Sequence, residues 1–385
     1  MQLNDLSNLL HERFTLEQPH YVLDESVVCH TYDFLSDISL HFDDENIHLN
    51  GVRLENGEKE NQKFRYAVFA PANGIQHSEA IILLHGLNER KWEKYLPWAY
   101  QLVMQTHKPV ILFPIAYHIN RSPLTWVCPR LMNQYSIFRK AAIPAIENSS
   151  FANVALSLRI DHCPELFPMS GIQTYFDIIK LASNMKAGHF DIFQKNCSIH
   201  FFAYSIGALL TETLLISNPL QLFSDSKAFF FCGGSTFDKI NGSSRSIMDS
   251  QAFAHLKKFT LNNTAIPEKE IKIPEQQAHL LKDAWKAFLA MSGIRKYTKR
   301  RENAFQNLIN RIRAIGLEGD YVVPGYAIRN TFSKVLNNKC FDVEVWDFPF
   351  KYSHETPFPV NQPKNIDPVT QSFRSVFNKA SLFLS

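Results

Sequence analysis

Residues 198–215 read SIHFFAYSIGALLTETLL, and the fold turns on how this stretch is read. It opens as a buried strand over 198–202. It turns sharply through Ala203, Tyr204, Ser205, Ile206 and Gly207, and enters a helix at once. A serine at the apex of so tight a turn is held in a strained, left-handed-type backbone, so the residues two places either side must be small. Ala203 and Gly207 stand at those places. The plainer reading makes Ser205 a helix N-cap that follows a strand. The pentapeptide alone does not separate the two, so the rest of the chain decides.

With 385 residues the chain is long enough for two domains, or for one large α/β domain with insertions. Hydrophobic residues make up 45% and charged residues 20%, the balance of a protein with a proper core. A net charge of +3 leaves no field for nucleic acid. The densest basic run, RKYTKRR at 295–301, reads as a solvated helix end. Six cysteines, at 29, 128, 163, 197, 232 and 340, form no CxxC pair and no Cys/His spacing that suits zinc. The first residues, MQLNDLSNLLHERF, lack the basic and apolar regions of a signal peptide. No apolar run reaches the ~18–20 residues of a membrane span. A soluble, cytoplasmic protein is the expectation.

Outward from the quoted stretch, short apolar runs alternate with amphipathic ones. Strands are expected at 26–32, 64–69, 80–84, 110–113, 228–232, 311–317 and 341–346. Helices are expected at 91–104, 174–182 and 277–291. The run AIILL at 80–84 is apolar throughout, as a strand buried on both faces must be. Strand and helix in alternation imply parallel pairing with right-handed crossovers. Two stretches break the alternation. Residues 118–170 contain five prolines and are too long for a simple crossover, and residues 235–302 form a second, helical insertion.

A serine hydroxyl is a weak nucleophile at neutral pH. It needs a base to take its proton, and the base needs an acid to fix its tautomer and support its charge. Asp320 follows the strand at 311–317. His354 lies in the loop after the last strand. A lone aspartate after a strand is usually a turn former, and a lone loop histidine is usually just exposed. Three such residues, each at a strand end, make the stronger pattern. Asp238, after the strand at 228–232, is a second candidate acid ranked below Asp320. An attacked carbonyl also needs preorganised donors for its developing negative oxygen. The N–H of Ile206, at the helix N-terminus, and the N–H of Leu87, after the AIILL strand, are assigned to it. The side chain of His85 is read as orienting that loop.

With these residues in view, the chain resembles the α/β-hydrolases. The segments HGLNERKWEKYLPWA and ILFPIAYHINRSP resemble an uncharacterised family, a domain of unknown function, within that superfamily. The likeness runs from about residue 64 to the C-terminus. It implies an α/β fold with a mostly parallel eight-stranded sheet flanked by helices, a helical cap insertion, and neither metal nor organic cofactor. It also implies the chain order Ser205, Asp320, His354 for the triad. The chain departs from the usual elbow at Ala203, where glycine is common.

The division of the chain follows. Residues 1–60 are an N-terminal extension with the first strands. Residues 61–234 and 303–385 form the core, with the insertion at about 118–170, and residues 235–302 form the cap. The function expected is hydrolysis of a carboxylic ester or thioester on a small-molecule acyl substrate, through an acyl-enzyme. An acyltransferase with the same triad, or a catalytically silent binding module, are the alternatives. Asn88, Glu89, Arg90 and Trp92, with His118, Asn120 and Arg121, cluster after two strand ends, where open parallel sheets bind ligands. Asn88, His118, Arg121 and Tyr204 are named as substrate-binding residues. For His118 and Arg121 two readings stand: contact with a substrate carboxylate or phosphate, or hydrogen bonds that tie the insertion to the core.

Overall fold

A computed structural model describes residues 1–40, 48–49, 52–333 and 341–385. Cys340 lies outside the described residues. The central sheet has nine strands: β1 His20–Val22, β2 Val27–Leu35, β3 Lys63–Pro71, β4 His77–Leu84, β5 Val110–Leu112, β6 Phe193–Tyr204, β7 Ala228–Phe231, β8 Ile312–Leu317 and β9 Asp342–Trp346. Their spatial order is β1-β2-β3-β5-β4-β6-β7-β8-β9. β1, β2 and β3 pair antiparallel, as do β3 and β5, and all pairs from β5 to β9 are parallel. The expected count of eight is corrected by β1. This three-residue strand lies on the outer edge of β2, too short to show a pattern of its own.

The parallel strands are apolar throughout because both of their faces are covered. Along β4, Ala80, Ile82 and Leu84 join one core while Ile81 and Leu83 join the other. β6 divides in the same way, with Phe201 and Ala203 on one face and Phe202 and Tyr204 on the other. One face carries helices Leu3–Arg13, Leu96–Thr106 and Ile366–Leu384, whose buried residues belong to the second core. The other carries Leu166–Ala187, Ile206–Ser217 and Ala278–Met291.

Two helices differ in extent from their sequence reading. The helix expected from 91 begins at Leu96, because residues 92–95 form turns ahead of Pro97. The helix expected at 174–182 runs from Leu166 to Ala187. Pro168 sits in its first turn, where a missing N–H costs nothing. In the 118–170 insertion, helices Pro129–Ala142 and Val154–His162 form. The 235–302 stretch divides its loyalties. Ser250–Asn262 packs against Val154–His162, whereas Ala278–Met291 lies along Ile206–Ser217 and belongs to the layer on the sheet.

Helix Ile206–Ser217 buries Glu212 completely, and neither carboxyl oxygen has a hydrogen-bond partner among the described residues. Burial pushes this carboxyl well above its ordinary range, with the Arg301 charge opposing. Between the unfolded and folded pKa values, folding therefore takes up a proton, and stability falls as pH rises through that window. Glu212→Met is expected to stabilise the protein by roughly 1–3 kcal/mol at pH 8, with a smaller gain at pH 5. Melting temperatures of both proteins at the two pH values check this. A gain that does not grow with pH would mean that Glu212 ionises without cost where it stands.

Candidate active site

Ser205 closes β6 with φ 55° and ψ −119°, a backbone that side chains rarely adopt, and the helix begins at Ile206. Two glycines permit the turn. A Cβ on Gly207 would lie 2.6 Å from the Leu84 carbonyl oxygen. A Cβ on Gly233 would lie 2.6 Å from the Ala208 Cβ and 3.0 Å from the Ser205 carbonyl oxygen. Ala203, by contrast, sits within the strand with its methyl in the core. The crowding falls on Gly207 and Gly233. The Gly233-Gly234 pair, one residue beyond β7, is the sequence signal for the second contact.

The structure brings Ser205, His354 and Asp320 together. His354 Nε2 lies 2.8 Å from Ser205 Oγ, and its Nδ1 lies 2.7 Å from Asp320 Oδ2. The carboxylate only accepts, so Nδ1 carries the ring proton and Nε2 offers its lone pair to the serine hydroxyl. Asp320 Oδ1 accepts the N–H groups of Val322 (2.9 Å) and Val323 (2.8 Å), which fixes the plane of the carboxylate. All three side chains are buried. Asp238 stands elsewhere: it accepts from Thr236 Oγ1 at 2.6 Å and pairs with Lys239.

The loop after β4 is tied down on every side. The Nδ1 of His85 donates to the Gly86 carbonyl at 2.8 Å, and its Nε2 accepts the Ile115 N–H at 2.9 Å. The Gly86 N–H donates to Tyr95 Oη at 3.0 Å, and that hydroxyl donates to Glu89 at 2.7 Å. Glu89 also pairs with Lys94, whose Nζ reaches the Glu355 carbonyl at 3.2 Å beside the catalytic-candidate histidine. Lys94 and Tyr95 had no distinguishing sequence signal, since their roles lie in pairings across the loop, and Glu89, read from sequence with the ligand-side cluster, is held in the same pairings. Asn88 adopts φ 62°. Its amide donates to the carbonyls of Ala152 (2.8 Å) and Ser246 (2.6 Å), one from each insertion.

Three residues named for substrate binding direct their polar groups at the protein itself. Asn88 spends its amide on those two carbonyls. Tyr204 is buried beneath His354, with ring centroids 5.3 Å apart and planes 20° apart, and its hydroxyl donates to the His354 carbonyl. Both contacts hold it against the histidine from below. Arg121 is fully buried: it pairs with Asp177 at 2.9 Å, donates to the carbonyls of Asn61 and Pro114, and lies over the Phe64 ring. His118 lines an apolar cavity.

Two apolar cavities meet at this centre. One is bounded by Ser205, Phe237, Ile240, Ile247, Phe253 and Val322. The other is bounded by His118, Ile115, Ile172, Leu210, Thr213 and Phe288. Leu87, Phe167 and Ile206 border both. Among the described residues no group of three or more His, Cys, Asp or Glu is placed to hold a metal ion, and no helix is long and apolar enough to cross a membrane.

The strand order from β2 to β9, with a serine at the sharp turn after its central parallel strand, makes the chain an α/β-hydrolase. Within that class it belongs to a family of unknown function, DUF6051, whose model matches residues 23–385. No curated protein matches the chain. Among solved structures it is similar to a cold-adapted esterase from an Arctic intertidal metagenomic library, with 9% identity, TM-score 0.45, and 97% and 100% of the two chains covered. It is similar also to a bacterial heroin esterase (10%, 0.47, 99% and 90%) and to carboxyl esterase 2 of the mycorrhizal fungus Tuber melanosporum (8%, 0.44, 98% and 97%).

Proposed function

We propose that this protein is a serine hydrolase of carboxylic esters or thioesters. The observation that carries the reading is the unbroken chain from Ser205 Oγ through the His354 ring to Asp320, on a serine held at φ 55°. In the reaction Ser205 Oγ attacks the acyl carbonyl while His354 Nε2 takes its proton. The N–H groups of Ile206 and Leu87 receive the oxyanion. The first of these lies free of any intrahelical acceptor, because it opens the helix. His354 then returns the proton to the departing oxygen or sulfur, leaving an acyl-enzyme. Water, deprotonated by the same nitrogen, releases the acid. Asp320 holds the ring in the required tautomer and supports the imidazolium.

The two insertions cover the site and shape its apolar walls, as a cap does. His354 hands its proton to the leaving group, so that group lies on the side of the cavity bordered by Val322, near the Asp320 loop. The acyl chain then takes the other cavity, bordered by His118. A fluorophosphonate probe tests the reading. The wild-type protein is expected to be labelled covalently and to hydrolyse p-nitrophenyl esters, and Ser205→Ala is expected to do neither. Folded wild-type protein that resists the probe and leaves the esters intact would make the chain a binding module instead.

A further inference from the structure

Apart from the two N–H groups at its mouth, the acyl-side cavity presents three polar side chains among its apolar ones: His118, Ser170 and Thr213. Each has already spent its proton. The Ser170 hydroxyl donates to the Phe167 carbonyl at 2.9 Å, and the Thr213 hydroxyl to the Leu209 carbonyl at 2.9 Å, both within their own helices. The His118 Nδ1 lies 2.8 Å from the Ala116 carbonyl oxygen. A carbonyl can only accept, so Nδ1 carries the ring proton and Nε2 is a bare lone pair. That nitrogen has no hydrogen-bond partner among the described residues and is itself closed to solvent, in a side chain 5% exposed, so a substrate donor meets it only by pressing back the cavity wall.

Protonation does not change this polarity. Burial holds the His118 imidazole down at about 3, and the charges of Arg90, Arg121 and Arg159 press the same way, against the bond to the Ala116 carbonyl. The ring is neutral throughout the range in which an ester hydrolase works. A lone pair repels a carboxylate or a phosphate, so the anion-binding reading of His118 is set aside. Arg121, its companion in that reading, is committed to Asp177.

We infer that His118 Nε2 is a specificity determinant that accepts a hydrogen bond from the substrate's acyl chain, and that the preferred acyl group is aliphatic with one internal donor, a hydroxyl or an amide N–H. The inference rests on the hydrolase reading and on the assignment of this cavity to the acyl side. A plain chain leaves the buried acceptor unpaired, and a site built to pair a donor discriminates against the analogue that lacks it.

The test compares p-nitrophenyl hexanoate with its 2-, 3- and 6-hydroxy derivatives and with N-acetylglycyl and N-acetyl-β-alanyl esters matched to plain chains of equal length. In the wild-type enzyme at least one donor-bearing ester is expected to exceed its plain counterpart by about tenfold in kcat/KM. The hydroxy and amide arms show which donor is preferred. His118→Asn keeps a donor for the Ala116 carbonyl and deletes the Nε2 acceptor, so the ratio is expected to fall to about one. No preference anywhere in the wild-type panel overturns the inference while leaving the hydrolase reading intact. A preference that survives in His118→Asn overturns it too, and the wild-type panel decides alone should that variant not fold. If no ester is cleaved and no probe binds, the hydrolase reading fails and takes the inference with it.

Discussion

Asp320→Asn is expected to lower kcat by about 10⁴-fold, the size of this change in a Ser-His-Asp triad, while the protein keeps its fold. The reason lies in the two backbone donors behind the carboxylate. Asp320 Oδ1 accepts from the N–H groups of Val322 and Val323. In the asparagine variant the amide oxygen must take that place, since an NH₂ there would face two donors. The NH₂ is thereby turned to His354 Nδ1, which now has to accept. The ring shifts its proton to Nε2, and Nε2 points a hydrogen at Ser205 instead of a lone pair. Thermal melting of the variant, read beside its turnover of p-nitrophenyl esters, separates this loss from unfolding. A fall of less than tenfold would mean that another group supports the histidine, and Glu355, beside it in the chain, would be the first to test.

Arg121→Met is expected to destabilise the fold by about 3–5 kcal/mol, a large part of the 5–15 kcal/mol typical of a native protein. The guanidinium is wholly buried and uses Nε, Nη1 and Nη2 to satisfy Asp177 and two backbone carbonyls. Ser36 supplies the remaining donor to Asp177, at 2.6 Å. Without Arg121 the carboxylate stays buried with a single hydroxyl, and the carbonyls of Asn61 and Pro114 lose donors. Adding Asp177→Asn removes the stranded charge but restores neither carbonyl. The double variant should therefore recover at least 1 kcal/mol against the sum of the singles, without reaching wild type. Urea midpoints of the four proteins measure the coupling. Strict additivity would show that the pair does not act as a unit.

The sequence was most legible where chemistry and chain position coincide. Ser205, Asp320 and His354 each follow a strand, and a parallel sheet delivers consecutive strand ends to one rim. Their order along the chain therefore carried spatial information. Polar residues at 88–121 had no such guide. Arg121 looks the same in a single sequence whether it faces a ligand or Asp177, 56 positions away. Tyr204 differs from a pocket residue only by which face of β6 it takes, and one step of register reverses that face. β1 is absent from the expected count because three residues show no period. Gly207 was legible because its neighbour is the apex serine. Gly233 acts on the same turn from the loop after another strand and was not.

Asn88 links the walls to the machinery. Its one amide group binds Ala152 in the first insertion and Ser246 in the second, while its own backbone continues the loop that carries Leu87. A roof that swung upward to admit a molecule would have to break both bonds, and would pull on the peptide that the proposed reaction assigns to the oxyanion. In the proposed reaction, entry and readiness would thus be joined through one residue.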